Sequence, residues 1–293
     1  MITGELALLA ARLTAERTPF VLATVVRAGR PTSVRPGDSA VVHPDGRIDG
    51  FVGGMCAESS VTLYSLRALE TGEPILLRLV PAAGESDAGD AREDAIVERN
   101  PCLSGGALEI FLEPCLPAAR VLIAGSTPIA HALRKLCAAA GYDVVDDHAR
   151  PGAGDAAAIV ASHGRDEERI ISAALEAGVP YVALVASAKR GAAVRDALGV
   201  ATELSAQLHT PAGLDIGAKT PSEIAISILA ELVKEHHAPP PQAPLEPATA
   251  LDPICGMEVA LTPQAIHLDV AGERVFFCAS GCRDAYARLH AAG

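Results

Sequence analysis

The feature that most constrains this chain is the proline-rich run H-H-A-P-P-P-Q-A-P-L-E-P at residues 236–247. Clustered prolines remove amide donors and hold the backbone extended, so neither a helix nor a central strand crosses such a run. It reads as a linker over residues 236–250 that divides the 293-residue chain into a body and a tail. The tail, residues 251–293, is too short to bury a sufficient core unaided, and the usual remedy at that size is a metal or a partner. Cys255, Cys278 and Cys282 lie in it with the spacing C-x22-C-x3-C. Three thiolates in a minimal fold suit a soft or borderline ion such as Zn²⁺ or Cu⁺. A closed structural zinc site takes four ligands. His267 and His290 are the candidates for the fourth, with solvated side chains as the alternative for each. Three buried thiols without metal are the alternative to the site as a whole.

At roughly 150 residues per domain the body has room for about two. Apolar residues are 49% and charged residues 20%, ordinary globular usage that excludes wholesale disorder. The net charge of −12 leaves no basic platform for nucleic acid, and 3% aromatics with no Trp leave no base-stacking surface. The longest uncharged apolar stretch, residues 177–188, is far short of the roughly 20 residues that a membrane helix needs. Glu5 and the lack of a basic start before an apolar run predict no signal peptide, hence the reducing cytoplasm. Seven cysteines then read as ligands, thiols or core residues, since an odd number cannot all pair. Cys115, close to two prolines, and Cys137, on an apolar helix face, read as packing residues.

The fold class is α/β. Residues 1–116 read as an α+β domain, with helices over 5–16 and 60–70 and strands over 20–26, 39–42, 75–80 and 107–113. Residues 84–98, with six acids and one arginine, read as a solvated mobile loop. In residues 117–235, strands at 121–124, 143–145, 156–161 and 181–185 alternate with helices at 129–140, 167–177 and 191–198. That alternation predicts a Rossmann-like, doubly wound parallel sheet. A small metal-binding domain, residues 251–293, completes the architecture.

Four segments carry candidate chemistry. In G-F-V-G-G-M-C-A-E-S-S, Gly53 and Gly54 let backbone amides line a cavity, and Cys56 beside Glu58 stands at a helix start that favours the thiolate. Cys102, Ser104, Gly105 and Gly106 repeat the combination of cysteine and paired glycine, the alternative for either being a small buried Cys in a turn. In the first βα turn, Gly125, Ser126 and Thr127 offer a close backbone approach and a helix N-terminus to an anion. The second glycine of G-x-G-x-x-G is absent, so NAD does not follow. Asp146 and Asp147 stand where an acid meets a ribose, or form an acidic surface turn. In G-L-D-I-G, Asp215 requires a partner, and Thr220, Pro221 and Glu223 behind it spell a capping box.

These runs, with C-L-S-G-G-A-L-E-I-F-L-E-P, P-Y-V-A-L-V-A-S-A-K-R and T-P-A-G-L-D-I-G-A-K-T-P-S-E-I-A, resemble the XdhC/CoxI family over residues 5–235. Its members are accessory factors of xanthine dehydrogenase and carbon monoxide dehydrogenase. The resemblance implies a maturation factor that binds molybdenum cofactor (molybdopterin, plain or in nucleotide form), shields it, supports its sulfuration by a cysteine desulfurase, and delivers it to a molybdenum hydroxylase apoenzyme. It also implies a homodimer. Similarity is greater to the carbon monoxide dehydrogenase branch, where G-G-S-C-A-Q is usual; here Met55 replaces the small residue and Glu58 the glutamine. The amides of Gly53, Gly54, Gly105 and Gly106 and the thiols of Cys56 and Cys102 are the candidate contacts, Cys56 foremost. The tail resembles the YHS/TRASH-type metal-binding domain. A NAD(P)-dependent oxidoreductase, suggested by the sheet alone, and a metal sensor or carrier working through the tail are the competing readings. With no H-E-x-x-H, G-x-S-x-G or P-loop, a non-catalytic chaperone is expected rather than an enzyme.

Overall fold

Helical spacing places Leu6 and Leu13 on one face of α1 (Gly4–Ala15), where they pack on Phe20 and Val41. The computed structural model describes residues 4–81, 95–100, 106–146, 150–164, 166–236, 247–270 and 272–290. Two compact units emerge, one of residues 1–117 with 242–293 and one of residues 118–241.

In the first unit, β1 (Phe20–Ala28) alternates buried Val21, Ala23 and Val25 with less buried neighbours, as a strand with one covered face must. It is followed by β2 (Ser39–Val42), β3 (Ile48–Gly50), α2 (Met55–Thr71), β4 (Ile75–Pro81), β5 (Ala95–Asn100) and β6 (Leu108–Cys115). The strand order is β3-β2-β1-β6-β4-β5, antiparallel throughout except for the parallel pair β4–β5. Ala57, Val61 and Ala68 of α2 cover the face formed by Val21, Val25, Leu77, Ile110 and Leu112. Gly72, in the left-handed region at φ 72°, ends α2 by donating its N–H to the Ala68 carbonyl. The expected mobile loop is corrected at its end. Residues 95–98 belong to β5, in register with β4 from Leu76↔Ala95 to Pro81↔Asn100, and backbone pairing overrides the acidic composition. Residues 84–94 lie outside the described residues.

The second unit runs β7 (Arg120–Ala124), α3 (Pro128–Ala139), β8 (Asp143–Val145), β9 (Asp155–Val160), α4 (Glu167–Glu176), β10 (Tyr181–Leu184), α5 (Ala188–Ala197), α6 (Thr202–Ser205), β11 (Leu208–His209) and α7 (Pro221–His236). Its five strands are parallel in the order β11-β10-β9-β7-β8. Val121, Leu122, Ile123 and Ala124 are all buried because helices cover both faces: α3 and α7 on one, α4 and α5 on the other. The order reverses between β7 and β9, the switch point where such sheets open a crevice at their carboxyl ends.

The tail adds β12 (Thr249–Leu251), β13 (Glu258–Ala260), β14 (Ile266–Val270), β15 (Glu273–Phe277) and α8 (Ser280–His290) to the first unit. Thr249 and Ala250, read from sequence as the end of the linker, pair with Ala260 and Val259. β14 and β15 form an antiparallel hairpin.

Candidate functional site

α2 begins directly after the paired glycines, with Gly54 at its N-cap and no side-chain cap. Gly53 sits at φ +144°, where an added Cβ would approach the Ala57 Cβ to 2.8 Å. Gly54 has ordinary backbone (φ −74°) and nothing within 4 Å of an added Cβ, so its face is open. Cys56 is therefore the second residue of a 17-residue helix, in the turn whose amides and dipole favour negative charge. Glu58, one turn in, has its pKa raised by burial. Met55, Glu58, Ser59 and Thr62 line a cavity of about 280 Å³ together with Arg47, and Val259, Thr262, Gln264 and Cys278 of the tail close its other side. The tail docks on α2 through an Arg67–Glu258 ion pair at 3.1 Å and a Ser280 hydroxyl 3.6 Å from the Met55 sulfur.

The tail cysteines converge. Cys278 Sγ lies 3.4 Å from Cys255 Sγ and 3.8 Å from Cys282 Sγ, and the three sulfurs with a carboxylate oxygen of Asp252 all fall within 4.8 Å of one another. No disulfide joins the described cysteines. Asp252, 1% exposed, orders the group: its Oδ1 accepts the amides of Ile254 (2.8 Å) and Cys255 (3.4 Å), and its Oδ2 accepts the buried Cys278 amide (2.9 Å). Burial raises the Asp252 pKa, but these hydrogen bonds outweigh it and hold the carboxyl below its ordinary value. A hydrogen bond with Cys56, then burial and the Asp252 carboxylate, push the Cys278 thiol far up, and burial first of all pushes Cys282 up to about 12. Cys56 packs on this cluster beside Cys255 and Cys282. His267 instead meets the Ala265 carbonyl, and His290 meets the Tyr286 carbonyl and stacks on that ring at 3.9 Å; neither joins the sulfur group.

In the second unit the G-L-D-I-G turn borders a crevice of about 780 Å³ with His163, Ser187, Arg190 and Ser227, beyond the carboxyl ends of β9, β10 and β11. Gly213 is at φ +97°, and a Cβ there would come 2.4 Å from Ser227 Oγ. Asp215 finds its expected partner locally, accepting the Gly217 amide at 3.4 Å. Gly125, at φ +104°, touches the β9 loop, since a Cβ would lie 2.3 Å from the Ala161 carbonyl oxygen. The Thr127 hydroxyl is taken up as N-cap of α3 by the Ala130 amide, while Ser126 is exposed. Gly106 packs against the backbone of residues 29–31, with a Cβ 2.2 Å from the Pro31 carbonyl oxygen, so closeness of chain to chain accounts for that glycine.

The structure thus joins Cys56 to the tail cysteines, sets Glu58 in one cavity wall with Cys278 in the other, leaves Gly53 and Gly54 at the helix start outside that lining, and gathers Asp215 with the second crevice. Cys102, Ser104, Gly105 and Asp147 lie outside the described residues. Two residues that sequence reasoning missed matter here. Asp252 had a legible signal, because an acid shortly before a Pro and a Cys suits a side-chain turn. Glu167, buried at 1% exposure, accepts from Ser162 (3.0 Å), the Gly164 amide (2.6 Å) and Arg190 beside the crevice; this grouping is tertiary and leaves no local signal.

Comparison with known proteins follows these units. Residues 13–79 match the model of the XdhC and CoxI family, and residues 121–232 match that of the XdhC Rossmann domain. The uncharacterized protein YqeB of Escherichia coli (strain K12) is 29% identical over 262 residues, covering 78% of this chain and 46% of that protein. The chain thus spans about half the length of this curated relative. A xanthine dehydrogenase from Bacillus halodurans, known as a crystal structure, aligns over 78% of this chain and 94% of its own at 16% identity, with a TM-score of 0.37. Among the described residues no helix is long and apolar enough to cross a membrane.

Proposed function

The chain belongs to the XdhC and CoxI family, and from that premise we propose that it is an accessory factor which holds molybdenum cofactor as cargo during maturation of a molybdenum hydroxylase of the xanthine or carbon monoxide dehydrogenase type. The observation that carries this reading is the uncapped start of α2, where open Gly54 leads into Cys56 and Glu58. The cargo is a phosphorylated pterin whose dithiolene holds the metal, and these residues fit it in kind. First-turn amides, the Ser59 and Thr62 hydroxyls and the Arg47 guanidinium suit a phosphate. The Glu58 carboxylate suits the donor edge of a pterin, and the Cys56 sulfur suits the metal end. At about 280 Å³ the cavity is at the lower limit for a ligand pocket, so the docked tail leaves room for only part of such a cargo. Reception by the apoenzyme, sulfuration by a cysteine desulfurase, self-association as a dimer and a cytoplasmic setting complete the proposal. The oxidoreductase reading loses ground at Thr127, which stands where the dinucleotide fingerprint has its second glycine and whose hydroxyl caps α3.

The test is anaerobic purification of the full chain from cells that make the cofactor, followed by fluorescence of the oxidised pterin. About one pterin per chain is expected. A folded chain carrying no more pterin than an unrelated control overturns the proposal.

A further inference from the structure

Cys278 is the hub of sulfurs from three segments far apart in sequence, meeting Cys255, Cys282 and also Cys56. Four sulfurs around one tetrahedral zinc stand about 3.8 Å apart, because each Zn–S bond is about 2.3 Å. Of the observed separations, 3.8 Å matches that spacing and 3.4 Å falls a little short of it. A closed site needs a fourth donor. Asp252 serves poorly, because its oxygens already accept three backbone amides, one of them buried, and turning it to an ion would strand them. His267 and His290 stand apart from the sulfur group. Cys56 stands outside the set whose ligand atoms all fall within 4.8 Å of one another, but it hydrogen-bonds Cys278 and packs on the cluster, so a small inward shift of its side chain on metal binding would complete the set. Two thiols also occupy first helical turns, Cys56 as the second residue of α2 and Cys282 as the third of α8, where the helix dipole favours the negative charge that a set of four thiolates carries.

We infer that Cys56, Cys255, Cys278 and Cys282 together hold one thiophilic d10 ion, Zn²⁺ or Cu⁺, with Asp252 behind them as a positioning residue. The ion fastens the tail to the start of α2 and occupies the sulfur of Cys56. A further consequence rests on the function proposed above: metal-loaded protein has Cys56 engaged and the cavity capped, and loss of the ion frees that sulfur for cargo.

The test uses the full chain, stripped of metal with a chelator under anaerobic reducing conditions and titrated with Co²⁺ and then Zn²⁺. Sulfur-to-cobalt charge-transfer absorption scales with the number of thiolates. One equivalent of tetrahedral, four-thiolate cobalt is expected. Cys56→Ser should lose about a quarter of the band and bind Zn²⁺ more than about tenfold more weakly, and Asp252→Asn should keep the band while weakening binding about 10–100-fold. Cys115→Ser should match the parent. In the unsubstituted chain, Zn²⁺ should shield Cys56 from alkylation, and a chelator should restore its reactivity. An unchanged spectrum and affinity in Cys56→Ser, Cys56 alkylated equally with and without Zn²⁺, or no metal bound at all would overturn the inference. None of these readouts needs the pterin, so the metal site and the cargo reading fail independently.

Discussion

Two glycines show how differently one residue type is constrained. Gly125 must be glycine on two counts: its φ of +104° lies in the left-handed region, and a Cβ would enter the Ala161 carbonyl at 2.3 Å. Gly141 shares only the first, with φ +88° and open space around it. Gly141→Ala is therefore expected to destabilise by the strain alone, about 1–3 kcal/mol, and Gly125→Ala by clearly more, as read from urea denaturation. Equal losses would show that the β9 loop moves aside freely. Glu167 makes a pH-dependent contribution. Burial raises its pKa, but the Arg190 guanidinium, the Gly164 amide and the Ser162 hydroxyl together bring it below the ordinary value. A depressed carboxylate pKa gives stability that is complete above the unfolded value, about 4.3, and is lost as pH falls through the lower folded value. Arg190 is 37% exposed, so solvent screens part of the pair, and Glu167→Gln is expected to remove about 1–3 kcal/mol at pH 7. Melting curves from pH 6 to 3 should converge for parent and variant at the acid end. A constant gap would show that Glu167 acts through packing and not through its charge.

Elements whose signals are local were legible in the sequence, and those whose signals are tertiary were not. The capping box of α7 is fully local: the Glu223 carboxylate accepts the Lys219 and Thr220 amides at 2.8 and 2.9 Å, and the Thr220 hydroxyl accepts the Glu223 amide at 3.3 Å. Thr220→Ala is accordingly expected to weaken the second unit by about 0.5–2 kcal/mol, measured by thermal melting, whereas a silent substitution would mean that Ile228 and Leu232 hold α7 without its cap. α2 illustrates the opposite case. Its spacing suggested a start near residue 60, yet it begins at Met55, because an uncapped Gly54 leaves no start signal in the residues themselves. β5 was hidden by the acidic run it ends, since its one acid, Glu98, is half-buried and meets the Ser60 hydroxyl only once β5 has paired with β4. β11, two residues long, and α6, four residues long, fall below any periodicity.

For the molecule as a whole, the sequence disclosed the parallel sheet, the glycine segments and the thiol-rich tail as separate facts. The proline-rich run argued for a tail standing by itself, whereas residues 242–293 pack into one unit with residues 1–117 and bring Cys278 to Cys56. Such a pairing between distant segments has no local signal in one sequence, and it changes what Cys56 means. A thiol read as facing cargo alone is shared with a set of tail sulfurs. The start of α2 is the proposed place where cargo is received, and Gly54 is the position from which a side chain would block it most directly. With φ −74° and nothing within 4 Å of an added Cβ, Gly54 accepts a side chain without disturbing the fold, yet that side chain would stand on the open face. The decisive measurement is pterin per chain in anaerobically purified Gly54→Leu against the parent, with circular dichroism and melting temperature as folding controls. If cargo is received at the start of α2, Gly54→Leu loses most of its pterin, by about tenfold or more, at near-parental stability, because an affinity loss of about 1.4 kcal/mol is already tenfold. Parental pterin content in folded Gly54→Leu would contradict it and move the cargo away from α2.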